Sequence, residues 1–181
     1  MIIDPKEYNV NGLYYVVRSA GAEDAVQMAP IRLQIDGETE HLDREPGEAL
    51  IDVPGFEELI HDDTKSSRRI FLVAEAQGRI IGFSRCQGNE LRRSAHKAEF
   101  GVGVLREFWG HHIGGNLLQQ SIAWADDSGI IKLMLNVLES NESAIRLYTK
   151  YGFQVEGILH KDKLLSDGKY YNTIIMGRLK S

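Results

Sequence analysis

The feature that most constrains this 181-residue chain is a strand that runs through a glycine-rich turn into a helix. The strand is predicted at Lys97–Val104, and F-W-G-H-H-I-G-G-N-L-L (residues 108–118) leads into an apolar helix over about 110–127. The first N–H groups of a helix lack partners within it and lie at the positive end of its dipole. The junction therefore indicates an anion site, above all for phosphate, unless its glycines only permit tight packing of helix on strand.

The flanking patterns predict one mixed α/β domain over residues 1–181, in the order β-α-α-β-β-β-α-β-α-β-β. A first helix at 21–29 is expected to end or kink at Pro30, and residues 31–52 are polar and weakly patterned. Ser140 or Asn141 caps the last predicted helix, and Gly152 ends it. The remaining elements are strands over 13–20, 70–76, 80–86, 97–104, 132–138, 153–165 and 169–179, and helices from Pro54 and over 110–127.

Composition excludes several classes of function. The net charge of −5 argues against a nucleic-acid partner, and no apolar run is long enough for a membrane span. The N-terminus lacks the apolar region of a signal peptide, so a cytoplasmic location is expected. The lone Cys86 allows no internal disulfide and no cysteine-based metal site. The adjacent His111 and His112 have no evident third ligand, so no metal is predicted.

Two segments carry a resemblance to a known family. V-L-R-E-F-W-G-H-H-I-G-G-N-L-L resembles the coenzyme A pyrophosphate loop of the GCN5-related N-acetyltransferases (the GNAT family), and N-E-S-A-I-R-L-Y-T-K-Y-G-F resembles that family's second signature, N-x-x-A-x-x-L-Y-x-K-x-G-F. The resemblance implies the GNAT fold, in which a central twisted mixed sheet with splayed parallel strands is flanked by helices. It also implies acetyl-CoA as co-substrate, and acetyl transfer to a primary amine by direct attack in a ternary complex.

The pyrophosphate loop departs from the family pattern [Q/R]-x-x-G-x-[G/A] at two positions. Trp109 stands where Gln or Arg is usual, and His112 stands where the first Gly is usual, while Gly114 matches the second. Because a Cβ is normally absent at that first position, we expect a locally different backbone at His112. The two histidine side chains either help to bind the pyrophosphate when protonated or are simply exposed residues at the helix start.

The resemblance implies a set of residues that hold the coenzyme. Gly101 and Gly103 interrupt the alternation of A-E-F-G-V-G-V and suggest a bulge, which would free backbone groups at Val102 and Val104 for pantetheine, unless these glycines only relieve crowding against the helix. Asn141 would touch the pantetheine arm or serve only as a helix cap. The cofactor-binding set comprises Val102, Gly103, Val104, Trp109, Gly110, His111, His112, Ile113, Gly114, Gly115, Asn141, Ser143 and Ala144.

Two side chains are candidates for proton transfer. Tyr148, the tyrosine of the second signature, is the predicted acid beside the coenzyme A sulfur, and its alternative role is packing on the apolar stripe of its helix. Glu99 lies where several family members carry a carboxylate that acts as base, and its alternative is a solvent-facing or ion-paired glutamate.

The acceptor is not defined by the sequence. Small amines, polyamines, antibiotics and peptide N-termini all fit, and the resemblance implies that the acceptor lies near residues 31–58 and 159–171. Six acids in the first segment either attract a cation or form a solvated surface: Asp36, Glu38, Glu40, Asp43, Glu45 and Glu48. A homodimer is possible. The alternative functions are a non-catalytic acyl-CoA sensor on the same fold and a nucleotide-binding α/β protein, which lacks a P-loop lysine.

Overall fold

A computed structural model describes residues 2–180, which form eight strands and four α-helices around one sheet. Short 3₁₀ turns lie at Ala22–Asp24 and Arg106–Phe108. The elements are β1 Lys6–Val10, β2 Leu13–Ser19, α1 Ala25–Glu38, α2 Val53–Lys65, β3 Arg69–Ala76, β4 Arg79–Gly88, β5 Lys97–Val104, α3 Ile113–Asp127, β6 Lys132–Leu138, α4 Glu142–Lys150, β7 Gln154–Leu164 and β8 Tyr170–Leu179.

The sheet has the strand order β1-β2-β3-β4-β5-β6-β8-β7. Neighbouring strands are antiparallel except for β5 and β6, which run parallel. A parallel pair needs a crossover connection, and α3 supplies it. The predicted mixed α/β architecture, with a parallel pair flanked by helices, is therefore confirmed.

Helices cover both faces of the sheet and bury a separate cluster of apolar side chains on each. On one face, Leu117, Leu118 and Trp124 of α3 pack with the sheet and with Tyr148 of α4. On the other face, residues of α1 and α2 such as Ile35 pack against the sheet. Cys86 is fully buried in the first cluster, where burial raises the pKa of its thiol to about 12, so it acts as a small core residue.

β1 has no counterpart in the order of elements predicted from the sequence. β1 pairs antiparallel with β2, and Asn11 and Gly12 form the connecting turn at φ of 51° and 81°. Asn-Gly with both residues at positive φ is the two-residue turn that matches the twist of a hairpin. The turn dipeptide was therefore the available signal for β1.

The first helix does not stop at Pro30. α1 continues to Glu38 with Pro30 inside it. Proline costs an internal helix hydrogen bond, but Pro30 is exposed, so solvent can satisfy the carbonyl that loses its donor. Burial of Met28, Ile31 and Ile35 at helical spacing favours the continuous helix.

None of the described helices combines the length and apolar character needed to cross a bilayer. Residues 2–180 also contain no group of three or more His, Cys, Asp or Glu side chains placed to hold a metal ion.

Candidate active site

The site begins where the parallel strands separate. β5 and β6 are paired only over Lys97–Glu99 and Lys132–Met134. Beyond these residues β5 stays paired with β4 as far as Val104, and β6 stays paired with β8 as far as Leu138. The two strands thus form a fork, and their facing backbone groups beyond Glu99 are not used by each other.

The predicted bulge in β5 is wrong. The pairing of β4 with β5 runs without a register shift from Gly82↔Val104 to Gly88↔Ala98. Gly103 is instead a packing glycine, because a Cβ there would lie 3.2 Å from the Phe83 ring and 3.3 Å from Ile35. Backbone groups of β5 become available through the fork, and no bulge is needed.

A cleft of about 810 Å³ opens at the fork and brings together nearly all of the predicted site. Both proton-transfer candidates, Tyr148 and Glu99, line it. The cofactor-binding residues that line it are Val102, Gly103, Val104, Trp109, Gly110, His112, Ile113, Gly114, Gly115, Asn141, Ser143 and Ala144. His111 does not belong to the lining.

The loop between β5 and α3 (residues 109–116, hereafter the phosphate loop) contains two residues at positive φ, and the helix starts later than predicted. Gly110 and His112 have φ of 85° and 59°, and α3 begins at Ile113 rather than Gly110. Asn116 N donates to His112 O at 2.9 Å, so the amides of residues 113–115 precede the first helical hydrogen bond. This end of α3 therefore presents N–H groups and the positive dipole end to the cleft, and the loop fits a pyrophosphate.

Trp109 has a role that Gln or Arg would not fill in the same way. Its Nε1–H donates to Val104 O at 2.9 Å, and the Arg106 guanidinium lies 5.4 Å from the centre of its ring. The indole thus binds the carbonyl of the last residue of β5, and half of the surface of Trp109 stays exposed at the cleft. The residue that departs from the family pattern thus joins the strand to the phosphate loop.

The N-terminal hairpin supports the phosphate loop from behind. The Tyr15 hydroxyl donates to His111 O at 3.1 Å and accepts from Asn116 Nδ2 at 2.6 Å. Asn11 Nδ2 donates to Gly110 O at 2.9 Å, and His111 Nδ1 lies 3.1 Å from Val10 O. His111 therefore faces the hairpin, and sequence reasoning could not find this support because it missed β1.

Tyr148 is a buried residue of α4 that lines the cleft. It is 7% exposed and packs edge-on against Phe100, with ring centres 6.3 Å apart, and against Phe153 at 5.9 Å. Burial raises the pKa of its phenol to about 12. Within residues 2–180 the hydroxyl has no hydrogen-bond partner, so it is available to a ligand. The phenol is therefore neutral and protonated at neutral pH.

Glu99 occupies the last paired position before the strands separate, opposite Met134. Its side chain is exposed at the cleft, and Asn136 Nδ2 of β6 donates to Glu99 Oε1 at 3.4 Å. Since Glu99 precedes Phe100 on one strand, its side chain leaves the opposite face of the sheet from the Tyr148–Phe100 contact. The cleft thus has a carboxylate on one side of the fork and a phenol on the other.

The start of α4 forms the third wall. Asn141 Oδ1 accepts from Ala144 N at 3.3 Å and from Ser143 Oγ at 3.2 Å, so the predicted helix cap is present. Asn141, Ser143 and Ala144 all border the cleft. Capping and ligand contact are therefore compatible at Asn141.

Two arginines on the α1–α2 side of the cleft were not singled out from the sequence. Arg85 of β4 forms a two-point ion pair with Asp63, which is 1% exposed, at 2.6 and 2.9 Å. Arg44 forms a similar pair with Asp36, which is 5% exposed, at 3.2 and 3.1 Å. Both arginines line the cleft. The available signal for Arg85 was a charged residue inside an otherwise apolar strand.

The acidic run between residues 36 and 48 is largely occupied within the protein. Asp43 Oδ1 pairs with Lys163 Nζ at 2.8 Å, and Glu40 Oε1 accepts from Ser166 N at 2.9 Å. Glu38 Oε2 accepts from Arg106 N at 2.7 Å, and Asp36 binds Arg44 as above. These contacts hold residues 39–52, hereafter the acceptor segment, over the α1–α2 side of the cleft.

Comparison with known proteins places this site in a family. A family model described as "Acetyltransferase (GNAT) family" matches residues 37–153. The L-amino acid N-acetyltransferase AaaT of Escherichia coli (strain K12) is 28% identical over 149 residues, which is 82% of this chain and 82% of that protein. The spermidine N(1)-acetyltransferase of the same strain is 33% identical over 138 residues, which is 73% of this chain and 68% of that protein.

Solved structures agree with the sequence relatives. The acetyltransferase of GNAT family from Streptococcus pneumoniae superimposes with a TM-score of 0.88 at 26% identity, covering 92% of this chain and 99% of that chain. The protein yncA from Salmonella typhimurium, solved with its cofactor acetyl-CoA, has a TM-score of 0.79 at 19% identity, covering 91% of this chain and 93% of that chain. The chain therefore belongs to the GNAT family and is an acetyl-CoA-dependent N-acetyltransferase.

Proposed function

We propose that this enzyme transfers the acetyl group directly to a primary amine while both substrates occupy the cleft at the fork. The observation that carries the proposal is the presence of Tyr148 and Glu99 in one cleft, on opposite sides of the separating strands. Direct transfer needs the two reactants side by side, and positioning of this kind contributes several kcal/mol, about 7–11 at most. A cleft open to both faces of the sheet can admit one reactant from each.

The reaction needs proton transfer at two places. The bound thioester supplies an acyl carbon to which the amine nitrogen bonds as the C–S bond breaks, so the amine must lose a proton and the sulfur must gain one. An acid is therefore required on the sulfur side and a base on the amine side.

Tyr148 fits the acid. Because burial raises the pKa of its phenol to about 12, it holds its proton across the whole neutral and mildly alkaline range. Its hydroxyl is free of partners within residues 2–180 and borders the cleft. A protonated donor held rigidly by Phe100 and Phe153 can pass a proton to a thiolate without reorganising its surroundings.

Glu99 fits the base. It is the exposed carboxylate at the fork, and Asn136 donates to one of its oxygens. The other oxygen can accept a proton from the incoming ammonium, directly or through a water molecule. Glu99 projects toward the α1–α2 side, so the acceptor amine is assigned to that side.

The coenzyme is assigned to the remaining walls of the cleft. The amides at the start of α3 would bind the pyrophosphate, and the unpaired edge of β5 near Val102 and Val104 would bind the pantetheine arm. Gly115 lies beside Leu147 of α4, where a Cβ would be in ordinary contact at 3.5 Å, so this position joins α3 to α4 at the cleft. All these contacts rest on backbone groups and small side chains.

The acceptor is proposed to be a small molecule with a primary amine. The two Escherichia coli relatives are named for L-amino acids and for spermidine, which are both small amines. A protein N-terminus remains the alternative, because the acceptor segment leaves one side of the cleft open to solvent.

The proposal is tested by the release of coenzyme A thiol from acetyl-CoA against a panel of amino acids, polyamines, aminoglycosides and short peptides. Tyr148→Phe should lower kcat/KM about 100-fold through loss of the acid. Binding of acetyl-CoA should persist, because phenylalanine keeps the ring contacts of Tyr148.

Tyr14→Phe is the matched control, since Tyr14 is 51% exposed and outside the cleft. Its rate should equal that of the wild type. Because the pKa of Tyr148 is raised to about 12, ionisation of this phenol should not lower the rate as the pH rises from neutral toward that value. Full activity of Tyr148→Phe would contradict the assignment of the acid.

A further inference from the structure

We infer that the acceptor carries an anionic group beside its amine, a carboxylate in the simplest case, and that Arg85 and Arg44 bind this group. The inference rests on the proposed function, which assigns the amine to the Glu99 side of the fork. It selects one substrate class among the small amines and separates amino-acid-like acceptors from polyamines.

Arg85 is in the right place to contact a substituent next to the amine. On β4, Gln87 lies across from Glu99, and Arg85 lies across from Gly101. Residues at this diagonal spacing share a face of the sheet with Cα atoms about 7–8 Å apart, within reach of long side chains. A Cβ added at Gly101 would meet nothing within 4 Å, so the space between Arg85 and the fork is open.

The way Arg85 is held leaves part of it free for a ligand. Asp63 takes the Nε and one Nη2 hydrogen, at 2.6 and 2.9 Å, and Gln87 Oε1 takes one Nη1 hydrogen at 2.9 Å. Of the five N–H groups of a guanidinium, one on Nη1 and one on Nη2 then remain. These two N–H groups are donors that the oxygens of a carboxylate can accept.

Arg44 repeats this arrangement from the acceptor segment. Asp36 accepts from Nε at 3.2 Å and from Nη2 at 3.1 Å, and among residues 2–180 nothing else bonds its guanidinium. In both pairs a buried carboxylate fixes the position of the guanidinium, and both arginines line the cleft. Ion pairs that served the fold alone would not need both arginines to border the same cleft.

The distribution of charge argues against a polycationic acceptor. Asp36 and Asp63 are already bound to the arginines, and Asp43 is bound to Lys163. Glu99 is thus the main carboxylate left at the fork, and it faces the amine that reacts. The further ammonium groups of a polyamine would meet two guanidinium groups, and such like-charge contacts are strongly unfavourable.

The test compares matched substrates on the wild-type enzyme. Thiol release from acetyl-CoA is measured with a panel of L-amino acids, with the same amino acids as their carboxamides, and with spermidine. We expect kcat/KM for the best amino acid to exceed that of its amide by about 10-fold or more, since hydrogen bonds to a charged group are lost in the amide.

Two variants identify the residues responsible. Arg44→Gln and Arg85→Lys should raise the KM for the amino acid about 10-fold and bring the acid-to-amide ratio toward one. Arg85→Lys keeps a cation beside buried Asp63, which protects the fold, and thermal melting checks this. Arg146→Gln is the control, because Arg146 is an exposed arginine on α4 outside the cleft lining and should leave the ratio unchanged.

The outcomes separate this inference from the proposed function. Equal or faster turnover of the amides or of spermidine would overturn the anionic acceptor and leave the acetyltransferase intact. A strong preference for the acid that neither arginine variant reduces would overturn the assignment to Arg85 and Arg44. Absence of thiol release with every amine would contradict the proposed function, and this inference with it.

Discussion

The two sides of the cleft are held in different ways. The phosphate loop is fixed by uncharged hydrogen bonds with the N-terminal hairpin, and the fully buried Tyr15 makes two of them, to His111 O and to the Asn116 side chain. The acceptor segment is held by charged side chains, as in the ion pair of Asp43 with Lys163, and Asp43 is 69% exposed. One side therefore depends on hydrogen bonds around a buried tyrosine and the other on exposed charges.

This difference parallels what each side would recognise under the proposed function. Backbone amides can bind a pyrophosphate whatever their side chains are, so such a loop would tolerate Trp109 and His112 where the family usually has other residues. An acceptor would be distinguished by its charge and shape, so the residues that face it would be specific side chains. Two relatives are named for different amines, L-amino acids and spermidine.

Among the variants that test this comparison, Tyr15→Phe is expected to have the largest effect, which is a weaker binding of acetyl-CoA. The change removes the hydroxyl that joins His111 O to Asn116 Nδ2 and leaves both groups without that partner. One such hydrogen bond is worth about 1 kcal/mol, so the Kd for acetyl-CoA should rise about 5-fold. Calorimetry measures the Kd, and the KM of the acceptor should not change.

Tyr8→Phe is the matched control for Tyr15→Phe. The Tyr8 hydroxyl accepts from Gln120 Nε2 and does not contact the phosphate loop, while its ring stacks on Tyr15 at 5.4 Å. Its loss should leave the Kd for acetyl-CoA as in the wild type. Equal Kd values for Tyr15→Phe and the wild type would show that the hairpin does not support the loop.

A smaller effect, on the opposite side, is expected from Asp43→Asn. The change breaks the ion pair with Lys163 of β7 and frees part of the acceptor segment. Exposed pairs contribute about 0.2–1 kcal/mol, so the KM of the acceptor should rise about 2-fold while the Kd for acetyl-CoA stays constant. Steady-state kinetics at low and high salt measure this, and the difference should shrink at high salt.

Glu142→Gln serves as the control for Asp43→Asn. It breaks an exposed ion pair with Arg146 on α4, which is away from the acceptor segment. A similar rise in the acceptor KM in this variant would mean that the effect is one of general surface charge.

The smallest effect is expected from His112→Gly. His112 has a φ of 59°, which costs a residue with a side chain about 1–2 kcal/mol. Replacement by glycine removes this cost, but the greater conformational freedom of glycine in the unfolded chain cancels part of the benefit. The free energy of unfolding should rise by about 0.5 kcal/mol, measured by thermal or denaturant unfolding. His111→Gly should have the opposite sign, because His111 is not at positive φ and its ring contacts Val10 O.

Sequence alone could predict much of the sheet and most of the residues that come together in the cleft. Local patterns can be predicted from a sequence because the residues that form them are close together in the chain. The strand before the glycines, the cap at Asn141 and the signature around Tyr148 are patterns of this kind. The prediction of a bulge at Gly101 and Gly103 was wrong because Gly103 packs against Phe83 and Ile35, which are distant in the chain. The extension of α1 past Pro30 was likewise decided by burial of Ile31 and Ile35.

The charged pairs could not be predicted for a related reason. Asp63 and Arg85 are 22 residues apart, and Asp36 with Arg44 read as members of a polar surface run. An aspartate in a solvated loop and an aspartate buried beside a guanidinium are the same residue in the sequence, so the sequence does not distinguish them. Only the packing of α1 and α2 on the sheet distinguishes them.

The short contact between β5 and β6 has a consequence for how this molecule can change over time. Only three residue pairs join the two strands, so the sheet consists of two antiparallel halves, each with its own ladder of hydrogen bonds. The apolar cluster at the fork nevertheless contains side chains of both halves, among them Phe100 of β5 and Leu133 of β6. The relative position of the two halves therefore depends on this shared core more than on strand pairing, and substitutions within the core are the changes expected to alter the gap between them.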